Sequence, residues 1–159
     1  MSRLNLPANP GGLVYGTILV ATLLAAESPK RETYAKTVAA VAISVIVYWL
    51  SMSYAEFTGE RLREDEAFTP AAFARAAVHE LPVVFGTLGP LVALLICWAA
   101  GAVLPTAVTV AIWTSVAIII ATEVVLGVRA ELTGRQLVIQ TGMGVLLGLL
   151  VVALRVLLH

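Results

Sequence analysis

Five apolar stretches, separated by short polar segments, dominate the pattern of residues along this chain. The five stretches cover approximately residues 11–27, 34–57, 81–101, 102–128 and 137–158. Each is close to the roughly 20 apolar residues that an α-helix needs to cross a bilayer. Gly101 and Pro105 predict a tight turn between the third and fourth stretches. The pattern predicts an all-α integral membrane protein with five transmembrane helices.

The one long polar segment, residues 58–80, lies between the second and third stretches. Thr69 followed by Pro70 is a helix-start signal, because the threonine caps the helix and the proline fits its first turn. Pro82 interrupts the pattern on entry to the third stretch. A short interfacial amphipathic helix and a kinked extension of the third transmembrane helix both fit. With no separate soluble domain, residues 1–159 are predicted to form one membrane domain.

Composition supports the membrane class and excludes several functions. The 159 residues are 60% hydrophobic and 13% charged, too apolar for a soluble domain of this size. A net charge of zero gives no sign of nucleic-acid binding. The single cysteine, Cys97, excludes an intrachain disulfide and is expected to be an inert packing residue. No nucleophile–base pair, zinc spacing, phosphate loop or dinucleotide fingerprint is present, so an enzyme is not expected.

Basic residues predict the orientation in the membrane. Five transmembrane helices put the two termini on opposite sides. The side of the N-terminus holds Arg3, Arg61, Arg63, Arg75, Arg129 and Arg135, and the other side holds Lys30, Arg31, Lys36 and Arg155. This excess predicts an N-terminus inside and a C-terminus outside. Two lysines against eight arginines, with abundant Ala and Val, indicate a bacterial protein, and therefore the plasma membrane.

Candidate chemistry begins at the end of the second apolar stretch. Tyr48, Met52, Glu56 and Glu60 are spaced four residues apart, so they share one face of a helix over roughly 18 Å. Carboxylate and thioether together suit a transition metal that must bind and then leave. An acid within the membrane is costly and therefore points to function. The alternative is that the two acids are solvated at the interface and Met52 fills space.

Glu123, His79 and Glu80 are further candidates. Glu123 lies in the fourth apolar stretch, where it is either a functional acid or an interfacial residue that pairs with Arg129. His79 and Glu80 precede Pro82, whose kink would release backbone carbonyls beside two potential ligands. The alternative for this pair is an interfacial cap.

Two small-residue motifs predict close helix packing. Gly12 and Gly16 form GLVYG, and Gly144 and Gly148 form GVLLG. Such spacing lets two helices approach closely in a membrane. Packing within one subunit and packing between two subunits remain open.

Three segments resemble the vacuolar iron transporter (VIT) family. SMSYAEFTG at residues 51–59 is similar to the family's Ser-Met-x-x-(Gly/Ala)-Glu-Tyr segment, with Phe57 in the aromatic position. GTLGPL at residues 86–91 resembles its Gly-x-x-x-Pro-Leu, and the chain from Leu126 resembles its last loop and helix. The resemblance covers about half of the chain, in the family's order.

This resemblance implies a function and a set of residues. It implies a five-helix homodimer that exchanges Fe²⁺ or Mn²⁺ for protons and holds no permanent cofactor. Met52 and Glu56 match the family's path methionine and following glutamate. The acids that correspond to its metal-collecting domain are Glu60, Glu64, Asp65, Glu66 and Glu80. Tyr48 and Glu123 are the candidates for a proton path.

The chain also departs from the family. Gly11-Gly12 stands where the family has an Asp-Gly pair in its first helix, and the metal-collecting domain shrinks to about two dozen residues. Two hypotheses follow. The first is a VIT-like carrier of a divalent metal, coupled to protons. The alternative is a membrane scaffold or accessory protein that keeps the fold without transport.

Overall fold

The computed structural model describes residues 10–26, 33–64 and 69–158, and it is helical throughout these ranges apart from short connections. Six helices follow in order: α1 (Pro10–Ala26), α2 (Tyr34–Glu64), α3 (Pro70–His79), α4 (Leu81–Ala99), α5 (Leu104–Arg129) and α6 (Gly134–Leu158). The predicted all-α class is confirmed. Expectations for Arg3, Lys30, Arg31, Asp65 and Glu66 lie outside the described residues.

Most of these helices are suited to a bilayer. Four helical stretches are long and apolar enough to cross a membrane: Tyr34–Leu62, Pro70–Ala99, Leu104–Arg129 and Gly134–Leu157. Helix α1 is apolar but has only 17 residues, which corresponds to about 25 Å. Many large apolar side chains point outwards, among them Ile43, Phe85 and Leu146. An outer surface of this kind fits a protein whose solvent is lipid.

Helix α1 lies at the centre of the bundle. It packs most extensively against α4 and also contacts α2, α5 and α6. Val20, Ala21, Leu24 and Ala25 are almost completely buried and belong to the main apolar core. A helix that is apolar on all sides is expected to be buried on all sides. The shortest apolar stretch therefore forms the core rather than an edge.

Glycines bring α1 and α4 into backbone contact. A Cβ atom on Gly16 would overlap the carbonyl group of Val83, and a Cβ atom on Gly86 would overlap that of Leu13. A Cβ atom on Gly12 would lie 3.2 Å from atoms of Pro82 and Val83. The GLVYG motif thus serves packing within one subunit, where the sequence left both possibilities open.

A proline inside α4 explains a hydrogen bond at this contact. Pro90 has no N–H, so the carbonyl group of Gly86, four residues earlier, has no donor within its own helix. The hydroxyl group of Thr17 lies 2.8 Å from this carbonyl oxygen and 2.9 Å from that of Leu13, so the two acceptors share its one proton. Backbone groups in a membrane must be satisfied inside the protein. Thr17 therefore compensates for Pro90.

The second glycine motif also packs within the subunit. A Cβ atom on Gly148 would lie 3.1 Å from Val116, and one on Gly144 would lie 3.0 Å from the Cγ atom of Glu123 and 3.3 Å from Ile119. Helices α5 and α6 are antiparallel neighbours joined by a short turn. The GVLLG motif lets these two helices approach closely.

Both short turns end a helix in the same way. After α4, Gly101 adopts φ +75° and the N–H of Ala102 donates to the carbonyl oxygen of Cys97. After α5, Glu131 adopts φ 52° and the N–H of Leu132 donates to the carbonyl oxygen of Gly127. This Schellman arrangement satisfies terminal carbonyl groups and favours glycine at the left-handed position. The tight turn predicted at Gly101 is confirmed, whereas Glu131 occupies a position that glycine would prefer.

Helices extend into the polar connector predicted over residues 58–80 from both sides. Helix α2 continues to Glu64, because its last turns are rich in good helix formers such as Arg61 and Leu62. Residues 70–79 form α3, whose N-cap Thr69 accepts a hydrogen bond from the backbone of Ala72. A turn at Glu80 separates α3 from α4. Helix α3 is thus a short helix of its own, and the turn at Glu80 leads directly from it into α4.

Helix α3 packs on the end of α2. Phe57 is buried against Ala72 and Ala76, and its ring meets that of Phe73 edge to face, with centroids 6.1 Å apart. The indole N–H of Trp49 donates to the carbonyl oxygen of Ala77 at 2.9 Å. That carbonyl belongs to the last turn of α3, where helices leave such groups without a backbone donor. These contacts fix α3 beside the candidate residues of α2.

Candidate functional site

The four residues predicted to share a face of α2 do share one helix, and their exposure changes along it. Tyr48, Met52 and Glu56 are half-buried, whereas Glu60 is exposed. Helix α2 packs against α1, α3 and α4. This face is therefore partly covered at Tyr48, Met52 and Glu56 and exposed at Glu60, which we call its open end.

Tyr48 meets a residue that sequence reasoning missed. Its ring stacks on that of Tyr15 in α1, with centroids 5.3 Å apart and planes 15° apart. The sequence signal that could have identified Tyr15 was a hydroxyl-bearing residue inside an apolar helix. Two tyrosines from α1 and α2 thus come together here.

Glu80 lies in the turn between α3 and α4 and is only 4% exposed. Its Oε1 atom is 3.4 Å from Nδ1 of His79, whose own side chain is 45% exposed. Glu80 is the C-cap residue of α3, with its backbone N–H donating to the carbonyl oxygen of Ala76, and also the N-cap residue of α4, to which its side chain makes no capping hydrogen bond. Buried carboxylates are rare unless they have partners. The position at the beginning of α4 favours negative charge, because the helix dipole is positive there.

Glu123 has a partner that the sequence did not indicate. It is half-buried, and its Oε2 atom accepts a hydrogen bond of 2.7 Å from Nε2 of Gln140 in α6. Gly144, one turn further along α6, leaves room for the Glu123 side chain. The sequence signal that could have identified Gln140 was an amide side chain inside an apolar helix. The acid is thus held between α5 and α6.

These candidates fall into two separate places. Tyr48, Met52 and Glu56 belong to a helix that packs on α1, α3 and α4, whereas Glu123 lies where α5 meets α6. Within the described residues, no group of three or more His, Cys, Asp or Glu side chains is arranged to hold a metal ion. Cys97 is half-buried and packs against the main core. A metal held by Met52 and Glu56 would therefore need further ligands.

Together, the helices and their apolar outer surface define an all-helical integral membrane protein. The chain matches no family model, no curated protein and no solved structure.

Proposed function

We propose that this protein is a VIT-like carrier that moves a divalent transition metal, Fe²⁺ or Mn²⁺, across the bacterial plasma membrane in exchange for protons. In this proposal α1, at about 25 Å, is the fifth transmembrane helix, slightly shorter than the roughly 30 Å hydrocarbon layer. Such a mismatch is accommodated by local thinning of the bilayer. The N-terminus lies inside and the C-terminus outside.

The stacking of Tyr48 on Tyr15 carries this proposal. It sets the helix face that bears Met52 and Glu56 against the central helix α1, and the turn before α4, which also packs on α2, holds the 4% exposed carboxylate of Glu80. A buried acid exchanges a proton for a cation because burial favours its neutral form and a bound cation favours its charged form. Met52 adds a soft thioether ligand, which suits Fe²⁺ or Mn²⁺ as cargo that must leave again.

A second copy of the chain would complete the set of ligands. Two-fold symmetry doubles each ligand, so Met52 and Glu56 from two subunits would supply two thioethers and two carboxylates. Glu60, at the open end of the same face, would receive the cation. Glu123, held by Gln140, would pass protons between α5 and α6.

Flux measurements in proteoliposomes test the proposal. The full-length protein should take up Fe²⁺ or Mn²⁺ when a pH gradient is imposed, and a proton ionophore should abolish the uptake. Glu56→Gln, Met52→Leu and Glu80→Gln should each lower uptake at least about tenfold, which corresponds to the loss of about 1.4 kcal/mol. Glu131→Gln, at an exposed turn, is the matched control and should retain uptake. Wild-type rates in the Glu56→Gln and Met52→Leu variants would contradict the proposal.

A scaffold or accessory protein without transport is the second candidate. Two observations favour it: α1 and α4 are in direct backbone contact through Gly16 and Gly86, and the described residues of one chain assemble no three-ligand group. It predicts no flux of either metal under any gradient. It also predicts that Glu56→Gln changes neither the stability nor the oligomeric state of the protein.

A further inference from the structure

Within the described part of the chain, the buried apolar residues form two separate clusters. The larger cluster joins α1, α4, α5 and α6 to the first half of α2, which contributes Val41 and Val45. The smaller cluster joins the second half of α2 to α3 through Phe57, Ala72 and Ala76. Helix α2 therefore belongs to the main bundle by its first half and to α3 by its second half.

Helix α3 packs more extensively against α2 than against α4, although the chain runs directly from α3 into α4. The indole N–H of Trp49 donates to the carbonyl oxygen of Ala77 at 2.9 Å, and the ring of Phe57 meets that of Phe73 edge to face. These contacts tie both halves of α3 to one stretch of α2. We call residues 49–64 of α2 together with α3 the α2–α3 cap.

Both connections between the cap and the rest of the bundle have weakened helical hydrogen bonding. In α2, the hydroxyl group of Ser51 donates to the carbonyl oxygen of Val47 at 2.8 Å. A hydroxyl group that shares a backbone carbonyl in this way favours bending of the helix. Between α3 and α4, the chain makes a turn at Glu80, and Pro82 has no N–H for the carbonyl group four residues earlier. The cap is thus joined to the bundle at two points that bend more easily than a regular helix.

The candidate cation residues lie on the cap, close to the first of these points. Met52 and Glu56 are half-buried members of the cap. Tyr48 immediately precedes the cap and stacks on Tyr15 of α1, with ring centroids 5.3 Å apart. A bend after Tyr48 would therefore carry Met52 and Glu56 away from the bundle while the first half of α2 stays in place.

We propose that the α2–α3 cap swings as one unit about Val47–Ser51 and the Glu80 turn, and that this movement opens and closes the face of Met52 and Glu56. The structure has the cap closed, since both of these side chains are half-buried. Outward movement exposes them to water, and the return covers them again. The use of this movement in cation entry rests on the proposed carrier function, whereas the movement itself depends on neither metal nor protons.

Distances between spin labels, measured by pulsed electron paramagnetic resonance, test this movement. The full chain is prepared with Cys97→Ala, which removes its one cysteine, and is reconstituted in lipid nanodiscs without added metal. Pairs of exposed residues are then changed to cysteine and labelled: Arg75 and Val138 from cap to bundle, Gly59 and Arg75 within the cap, and Lys36 and Val156 from the first half of α2 to the bundle. The first pair should give two distance maxima more than about 2 Å apart, as expected for a hinge movement. The other two pairs should each give one maximum.

Substitutions connect the movement to particular contacts. Pro82→Ala supplies the missing N–H and keeps the Cβ atom, so it should stiffen the turn and reduce the two maxima of the cap-to-bundle pair to one. Trp49→Phe removes the indole N–H that donates to Ala77, and it should broaden the distance distribution within the cap. Trp113→Phe, at an exposed position of α5, is the matched control and should change none of the three distributions.

A single maximum for the cap-to-bundle pair in the Cys97→Ala protein would overturn the proposal. Two maxima within the cap would overturn it as well, because α2 and α3 would then move separately. So would two maxima for the pair at Lys36 and Val156, because the whole of α2 would then move. None of these measurements needs transport. Two cap positions in a protein that moves neither Fe²⁺ nor Mn²⁺ would support the movement and count against the proposed function alone.

Discussion

The Thr17 hydroxyl group donates to the Gly86 carbonyl oxygen at 2.8 Å, the backbone group that Pro90 leaves without a donor in its own helix. The contact is buried and joins α1 to α4. Because Gly86 and Gly16 have no Cβ atoms, the two backbones are close enough for a short side chain to reach. One hydrogen bond thus links Pro90, the close approach at Gly16 and Gly86, and the central helix.

Thr17→Val should therefore destabilise the protein by about 1–2 kcal/mol, since the Gly86 carbonyl would lose its donor inside the membrane. Pro90→Ala restores an N–H that can bond to Gly86 within α4. In the Pro90→Ala background, Thr17→Val should lower the free energy of unfolding by only a small fraction of that amount. Unfolding in detergent micelles, followed by circular dichroism, measures all four proteins of this cycle.

Thr114→Val is the matched control for that cycle. Thr114 donates only to the carbonyl oxygen of Val110, one turn earlier in its own helix. Its replacement should change stability by less than about 0.5 kcal/mol, with or without Pro90. Equal costs for Thr17→Val in the two backgrounds would show that Thr17 does not compensate for the proline.

Gly16→Ala should disrupt the contact between α1 and α4. Its Cβ atom would overlap the Val83 carbonyl group, which is backbone and cannot rotate away. We expect a loss of about 1–3 kcal/mol, as for other overpacked positions. Gly142→Ala has nothing within 4 Å of its Cβ position and should change stability by no more than roughly 0.5 kcal/mol. Similar unfolding midpoints for the two variants would contradict the close approach.

Glu131→Gly should stabilise the turn between α5 and α6. Glu131 adopts φ 52°, a left-handed conformation that costs a residue with a Cβ atom about 1–2 kcal/mol. Part of this gain is lost because glycine has more freedom in the unfolded chain, so we expect about 0.5–1 kcal/mol. Glu131→Ala removes the same charge but keeps the strain, and it should give no such gain. Thermal unfolding of both variants distinguishes conformation from charge.

Gln140 and Glu123 should show coupling in a double-mutant cycle. Gln140→Leu and Glu123→Leu each remove the hydrogen bond of 2.7 Å between α5 and α6. Interhelical hydrogen bonds in membranes contribute about 0.6 kcal/mol on average and up to about 1.7 kcal/mol. We expect a coupling energy in that range from unfolding of the four proteins. Additive effects of the two substitutions would mean that the pair does not hold α5 against α6.

Several features followed from the sequence alone, because they depend on local chemistry. Apolar stretches of bilayer length predicted the helical membrane class, Thr69-Pro70 predicted the start of α3, and Gly101 predicted the turn after α4. Helix α2 extends beyond the apolar stretch that predicted it, as far as Glu64. Polarity alone does not end a helix, and the packing of Phe57 under α3 supports the extra turns.

Tertiary structure decided which residues meet, because nothing local encodes a partner on another helix. The spacing of Gly12 and Gly16 allowed a contact within one subunit or between two. The position of α4 against α1 shows that the contact is within one subunit. The sequence marked Tyr48, Glu80 and Glu123 as unusual, but Tyr15 and Gln140 became visible as their partners only in the folded chain. Burial acts in the same way: Glu80 stands in a polar segment, yet the turn between α3 and α4 places it inside the protein. A sequence shows what a side chain can do, whereas packing determines its neighbours and its distance from water.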